Sequence, residues 1–91
     1  MKAVNARIEG KVQGVWFRDW TVETARKLGL DGWVRNRSDG SVEAVFAGDD
    51  SVVDAMLNHC QEGPELAQVV HIALTPCDKP EISGFTKLPT V

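Results

Sequence analysis

The residues best suited to chemistry in this chain lie in one short run, Gly10-Lys11-Val12-Gln13-Gly14-Val15-Trp16-Phe17-Arg18. An alternating apolar stretch precedes it and a helical pattern follows. A strand that feeds a glycine-containing loop, an arginine and a helix N-terminus is suited to gripping a phosphate. Successive main-chain N–H groups turn inward, the helix dipole adds positive potential, and the guanidinium offers a rigid fork of donors. Without a ligand Arg18 would be poorly placed, because the dipole disfavours a cation at a helix N-terminus. A bound anion resolves that conflict, so Arg18 is assigned to an anion site. Gly14 serves both demands of such a loop, a tight turn and close approach of the backbone to the ligand.

The other reactive side chains offer less. His59 and His71 have no partner at ligand spacing, so they read as structural and no metal site is expected. Cys60 falls on an apolar helix stripe, and Cys77 at the far end of the strand that follows. A strand of about nine residues spans roughly 30 Å, which keeps the two thiols apart. Two cysteines are in any case too few for a disulfide scaffold. Asp49, Asp50 and Asp54 read as capping and solubilising groups.

The elements that must position the loop are legible from periodicity. Val4, Ala6 and Ile8 alternate with polar residues, as in a half-buried strand. Thr21, Ala25 and Leu28 fall at i, i+4 and i+7 of a helix, which Gly29 is placed to end as a left-handed cap. Trp33 to Asn36 and Val42 to Phe46 read as strands joined through Asp39-Gly40, a strong hairpin signal. Asp49-Asp50-Ser51 can cap a second helix with Val53, Met56, Leu57 and Cys60 on its buried stripe, and Gly63-Pro64 stops it. Val70, Ile72 and Leu74 alternate as a fourth strand, and Phe85 to Leu88 suggests a short fifth. The order βαββαβ predicts an α+β ferredoxin-like sandwich, an antiparallel sheet with two helices on one face. That architecture names no function by itself.

Length and composition set the limits. Ninety-one residues with 43% hydrophobic and 25% charged content make a single domain over 1–91 with one core. A formal net charge of −3 argues against a nucleic-acid footprint, so any anion site must be local. No apolar run approaches the length that crosses a bilayer, and the polar N-terminus does not read as a signal peptide. A cytoplasmic monomer that binds neither membrane nor nucleic acid is the expectation.

Two segments carry a resemblance. Val12-Gln13-Gly14-Val15-Trp16-Phe17-Arg18 resembles the first signature of the acylphosphatase family, and Gly32-Trp33-Val34-Arg35-Asn36-Arg37-Ser38-Asp39-Gly40-Ser41-Val42-Glu43 is similar to its second. Leu28-Gly29-Leu30, Gly63-Pro64 and the terminal Phe85…Pro89-Thr90 add to the likeness, which covers nearly the whole chain. The resemblance implies a hydrolase that splits the carboxyl–phosphate bond of small acyl phosphates, giving a carboxylate and inorganic phosphate. It places the phosphate-binding arginine on Arg18 and the water-orienting asparagine on Asn36. The cradle would be the main-chain N–H groups of Gln13, Gly14, Val15, Trp16, Phe17 and Arg18. No cofactor and no metal are implied, and inorganic phosphate should act as product and competitor.

The chemistry agrees with those roles. A carboxylate departs readily, so the tasks left are to place water in line and to stabilise charge on the equatorial oxygens. Arg18 can hold two of those oxygens, and Asn36 can orient a water without titrating. Taken alone, Asn36 reads as a turn residue before Asp39-Gly40; its place in the motif makes it a candidate. Trp16 either lines the rim against an acyl group or packs on a neighbouring loop, while Trp20 and Trp33 read as structural. Lys87 stands where the family carries an apolar residue, and Leu88 is expected to take over through a bulge or slipped register.

Other classes use the same plan. A non-catalytic module binding phosphate or another anion would keep the cradle and Arg18 but show no turnover. RNA-recognition modules need paired aromatics and a basic sheet face, which these strands lack. Metal-transfer proteins of this topology carry Cys-x-x-Cys in the first loop, and this loop contains no cysteine.

Overall fold

Strand β1 (Lys2–Lys11) pairs antiparallel with both β3 (Val42–Gly48) and β4 (Gln68–Pro76), and β3 pairs antiparallel with β2 (Asp31–Asn36). The computed structural model describes residues 1–91. With β5 (Phe85–Lys87) the sheet has the order β4-β1-β3-β2-β5. Helix α1 (Phe17–Lys27) joins β1 to β2, and α2 (Asp50–Glu62) joins β3 to β4. The ferredoxin-like plan expected from the pattern is therefore present.

Side-chain alternation sorts the two faces of the sheet. Ala6, Ile8, Val34, Val42, Ala44 and Phe46 share one buried cluster with Phe17 and Ala25 of α1 and Val53, Met56 and Cys60 of α2. Both helices thus cover one face. The opposite face carries Asn5, Arg35 and Arg37 around Glu43, and Arg35 also lies over the Trp33 ring at 4.6 Å. Thr21 can be buried inside α1 because its hydroxyl donates to the Phe17 carbonyl at 2.8 Å. Gly29 and Gly63 end the two helices with φ of 71° and 68°, as their positions predicted.

Three details differ from the reading of the sequence. The sheet is mixed, because β5 runs parallel to β2. β4 ends beside the start of β1, where the Cys77 N–H bonds the Ala3 carbonyl. The chain then crosses that end of the sheet and enters β5 in the direction of β2. The alternation in β4 is also interrupted. The Glu9–His71 pair is followed by Gly10–Val69, which leaves Val70 as the extra residue of a bulge in β4. Val69 and Ile72 pack on the core and Val70 is 81% exposed, while Leu74, opposite Ala6 on the edge strand, is 52% exposed. Gly10 allows the bulge, since a Cβ there would lie 2.1 Å from the Gln68 carbonyl oxygen. Finally, Lys87 keeps its place opposite Val34 with no bulge, and its ammonium bonds Asp19 of α1 at 2.9 Å. An ion pair to the helix stands where an apolar contact was expected, and Leu88 continues past it to bond the Val34 carbonyl.

Candidate active site

The loop between β1 and α1 is pinned by alternate side chains. Val12, Val15 and Phe17 are buried in the core cluster, which leaves Gly14 and Trp16 facing outward. The backbone alternates in hand at the same positions, with φ of 72° at Gly14 and 69° at Trp16 on either side of Val15. Alternation of this kind turns successive N–H groups toward a common point. None of the main-chain N–H groups from Gln13 through Asp19 bonds a protein acceptor. Those of Phe17, Arg18 and Asp19 belong to the first turn of α1, where the helix dipole adds positive potential. A tetrahedral anion suits this set of donors. Trp16 is the only residue other than glycine with positive φ, a conformation that costs about 1 kcal/mol or more and concentrates at functional sites.

Arg18 is the second residue of α1 and lines a cleft of about 200 Å³ with Gln13, Gly14, Trp16, Asp19 and Asn36. Every other arginine is engaged: Arg7 with Asp39 and Ser41, Arg26 with the Phe85 carbonyl, Arg35 and Arg37 with Glu43. Arg18 alone has no partner in the protein. Asn36 ends β2 on the helix-facing side, in phase with buried Val34. Its side-chain oxygen is buried without a hydrogen-bond partner. An orphaned acceptor inside a cleft is costly and calls for a donor such as water.

Several supports of this arrangement are not visible in the sequence. The Gln13 side-chain amide donates to the Arg37 carbonyl at 2.8 Å and the Ser41 carbonyl at 2.9 Å, tying the loop to the β2–β3 hairpin. Gln13 was expected to contribute a main-chain donor; the structure gives its side chain a second task. The tail brackets Asn36 as well. The Val91 N–H bonds the Asn36 carbonyl at 3.2 Å, and the Ser38 N–H bonds the Val91 carbonyl at 2.6 Å. Asp39 organises the hairpin turn by accepting from the Ser41 N–H and hydroxyl and from Arg7, which holds its carboxyl far below the usual range.

Asp19 puts a carboxylate on the cleft. Its hydrogen bond from Lys87 holds its pKa below the ordinary 3.8, with a smaller contribution from Arg18. It stays ionised, and Lys87 offsets its charge at the edge of the cleft. The remaining groups stand apart. His59 and His71 are exposed on different elements. Burial pushes the Cys60 thiol up to about 12, and burial followed by Asp78 raises Cys77, so neither thiol is disposed to act as a nucleophile. The cysteines are unpaired.

A cleft of this kind on this topology defines a class, the ferredoxin-like α+β sandwiches whose first loop is suited to receive an anion. Residues 4–87 match the family model for acylphosphatases. An acylphosphatase of Rhodospirillum rubrum is 54% identical over 91 residues, covering 100% of both chains. The crystal structure of acylphosphatase from Bacillus subtilis is similar with a TM-score of 0.90 and 30% identity, covering 97% of this chain and 99% of that one. An acylphosphatase structure from Coxiella burnetii gives a TM-score of 0.91 and 32% identity over 96% of this chain and 92% of that one. The chain belongs to the acylphosphatase family.

Proposed function

We propose that the cleft receives the phosphoryl group of a small acyl phosphate, with each residue in a defined role. As an acylphosphatase, the chain hydrolyses the carboxyl–phosphate bond. The N–H groups from Gln13 to Arg18 and the Arg18 guanidinium hold the phosphoryl oxygens. The Asn36 side-chain oxygen accepts a hydrogen bond from the attacking water and sets it in line with the leaving group. The water oxygen bonds to phosphorus as the bond to the acyl oxygen breaks. The electron pair leaves on the carboxylate, and the water proton passes to a phosphoryl oxygen. Arg18 and the main-chain donors stabilise the charge on the equatorial oxygens as this happens.

The observation that carries the reading is the unpartnered Asn36 oxygen beside an arginine with no protein partner. Both side chains have capacity directed at a ligand and neither has a structural task. The leaving group is a stable carboxylate, so the scheme calls for no Lewis acid and the reaction is proposed to be metal-independent. A cytoplasmic monomer acting on small molecules fits the net charge of −3 and the lack of a helix long and apolar enough to cross a membrane.

Hydrolysis of benzoyl phosphate tests the scheme, with and without chelator, in the wild type, Arg18→Ala and Asn36→Ala. Arg18→Ala should lose about 10³-fold or more in turnover and bind inorganic phosphate weakly. Asn36→Ala should lose on the order of 10²-fold while phosphate still competes, because only the water is misplaced. Full activity in Asn36→Ala would remove its water-orienting role. A folded wild type that binds phosphate without turnover would return the site to a binding module.

A further inference from the structure

A second cleft, of about 430 Å³, opens beside the first and shares only Trp16 with it. One wall is Trp16 and Trp20 at the start of α1; the other is Pro64, Glu65 and Leu66, just after α2. The indole of Trp16 is 56% exposed and Leu66 68% exposed. Two large apolar side chains from separate segments thus flank one trough in contact with water, which marks it as a surface suited to apolar ligand.

The trough is built, since both walls are held. Trp16 sits between the buried anchors Val15 and Phe17 in its left-handed conformation. The other wall turns at Gly63, whose N–H bonds the His59 carbonyl at 2.9 Å, and the Ala67 N–H closes the next turn on the Pro64 carbonyl at 3.0 Å. A Cβ at Gly63 would meet the Phe17 ring at 2.7 Å, so this turn rests directly on the residue following Trp16. Phe17 in turn stacks edge-on against Trp20 at 5.4 Å.

Its position relative to Asn36 decides what could lie there. Asn36 belongs to the sheet, at the end of β2, and does not line the trough. The trough lies in the helix layer, between the start of α1 and the end of α2. In-line displacement places the attacking water and the leaving carboxylate on opposite sides of phosphorus. Water held by Asn36 would put the leaving group on the side of phosphorus away from Asn36, and Trp16, which lines both clefts, joins the phosphoryl site to the trough.

We propose that this trough is the acyl-group subsite, and that the chain prefers acyl phosphates with an uncharged aromatic or extended aliphatic acyl group. Trp16 forms the boundary between phosphoryl and acyl portions, and Trp20, Pro64 and Leu66 cover the acyl chain. Glu65 on the rim opposes acyl groups with a second anionic end. The inference rests on the acyl-phosphate reading of the first cleft and specifies its substrate class.

The test compares kcat/KM for acetyl, octanoyl and succinyl phosphates, each divided by its uncatalysed hydrolysis rate. In the wild type octanoyl phosphate should exceed acetyl phosphate by roughly tenfold or more, the scale of a few buried methylenes, and succinyl phosphate should be the poorest. Leu66→Ser should collapse the octanoyl-to-acetyl ratio several-fold, and Glu65→Gln should raise the succinyl-to-acetyl ratio. Both residues are exposed, so neither change threatens the fold. Equal kcat/KM for octanoyl and acetyl phosphates in the wild type would overturn the subsite and leave the hydrolase reading intact. A ratio unmoved by Leu66→Ser would overturn it too. Absence of turnover on all three would overturn the hydrolase reading and the subsite together.

Discussion

The Gln13 side-chain amide donates to the main-chain carbonyl of Arg37 across 2.8 Å, although the residues stand 24 positions apart. With its second bond to the Ser41 carbonyl, this amide fastens the loop that would cradle the phosphoryl group to the hairpin that follows Asn36. The two halves of the site are thereby held in register by one neutral side chain.

Gln13→Ala should uncouple them. Two carbonyls lose their donor, at about 1–3 kcal/mol if they are left unsatisfied. We expect kcat to fall by more than the affinity for inorganic phosphate, because Asn36 shifts relative to the cradle while the cradle survives. Steady-state kinetics with phosphate inhibition checks this; an unchanged kcat would show that Asn36 is held by the sheet and tail alone.

Lys87 should matter to substrate affinity. Replacing it with methionine leaves the Asp19 carboxylate without its hydrogen-bonded cation at the edge of an anion site. KM should rise several-fold with little change in kcat, and adding Asp19→Asn should restore it. The rise should shrink at high ionic strength, because both groups are about half exposed and screened by salt.

Glu43 makes stability pH-dependent. Burial raises its pKa, but hydrogen bonds from Asn5, Arg35 and Arg37 outweigh that and hold it below the ordinary 4.5. A depressed folded pKa stabilises the protein fully above the unfolded value and is lost as pH falls through the folded value. The melting temperature should therefore decline as pH drops below about 4.5, and Glu43→Gln should flatten that part of the profile. Above it, the variant should be less stable than the wild type by roughly 1–3 kcal/mol, since Arg35 and Arg37 lose a charged partner.

Gly63→Ala should strain the fold next to the site. The residue has φ of 68°, and a Cβ would lie 2.7 Å from the Phe17 ring. Loss of about 1–3 kcal/mol is expected, visible in chemical denaturation. Because Phe17 opens α1, the same change should lower kcat/KM at temperatures where the variant is fully folded.

Much of this molecule was legible in its residues alone. Local rules were enough for the elements, because hydrophobic period, Gly29 and Gly63 as helix stops, and Asp39-Gly40 as a hairpin signal act over a few residues. Arg18 stood out as a candidate through its conflict with the helix dipole, which a bound anion would relieve. Asn36 did so only through its motif, since an asparagine before a turn has no local signal of function. Tertiary structure decided the rest. The direction of β5 follows from the end of the sheet at which β4 finishes, and the bulge exposing Val70 depends on Gly10 approaching Gln68. Lys87 finds Asp19, and Gln13 finds Arg37 and Ser41, across separations that no periodicity encodes. Pairing over such distances is set by which surfaces the closed core brings together, so it exists only once the chain has folded.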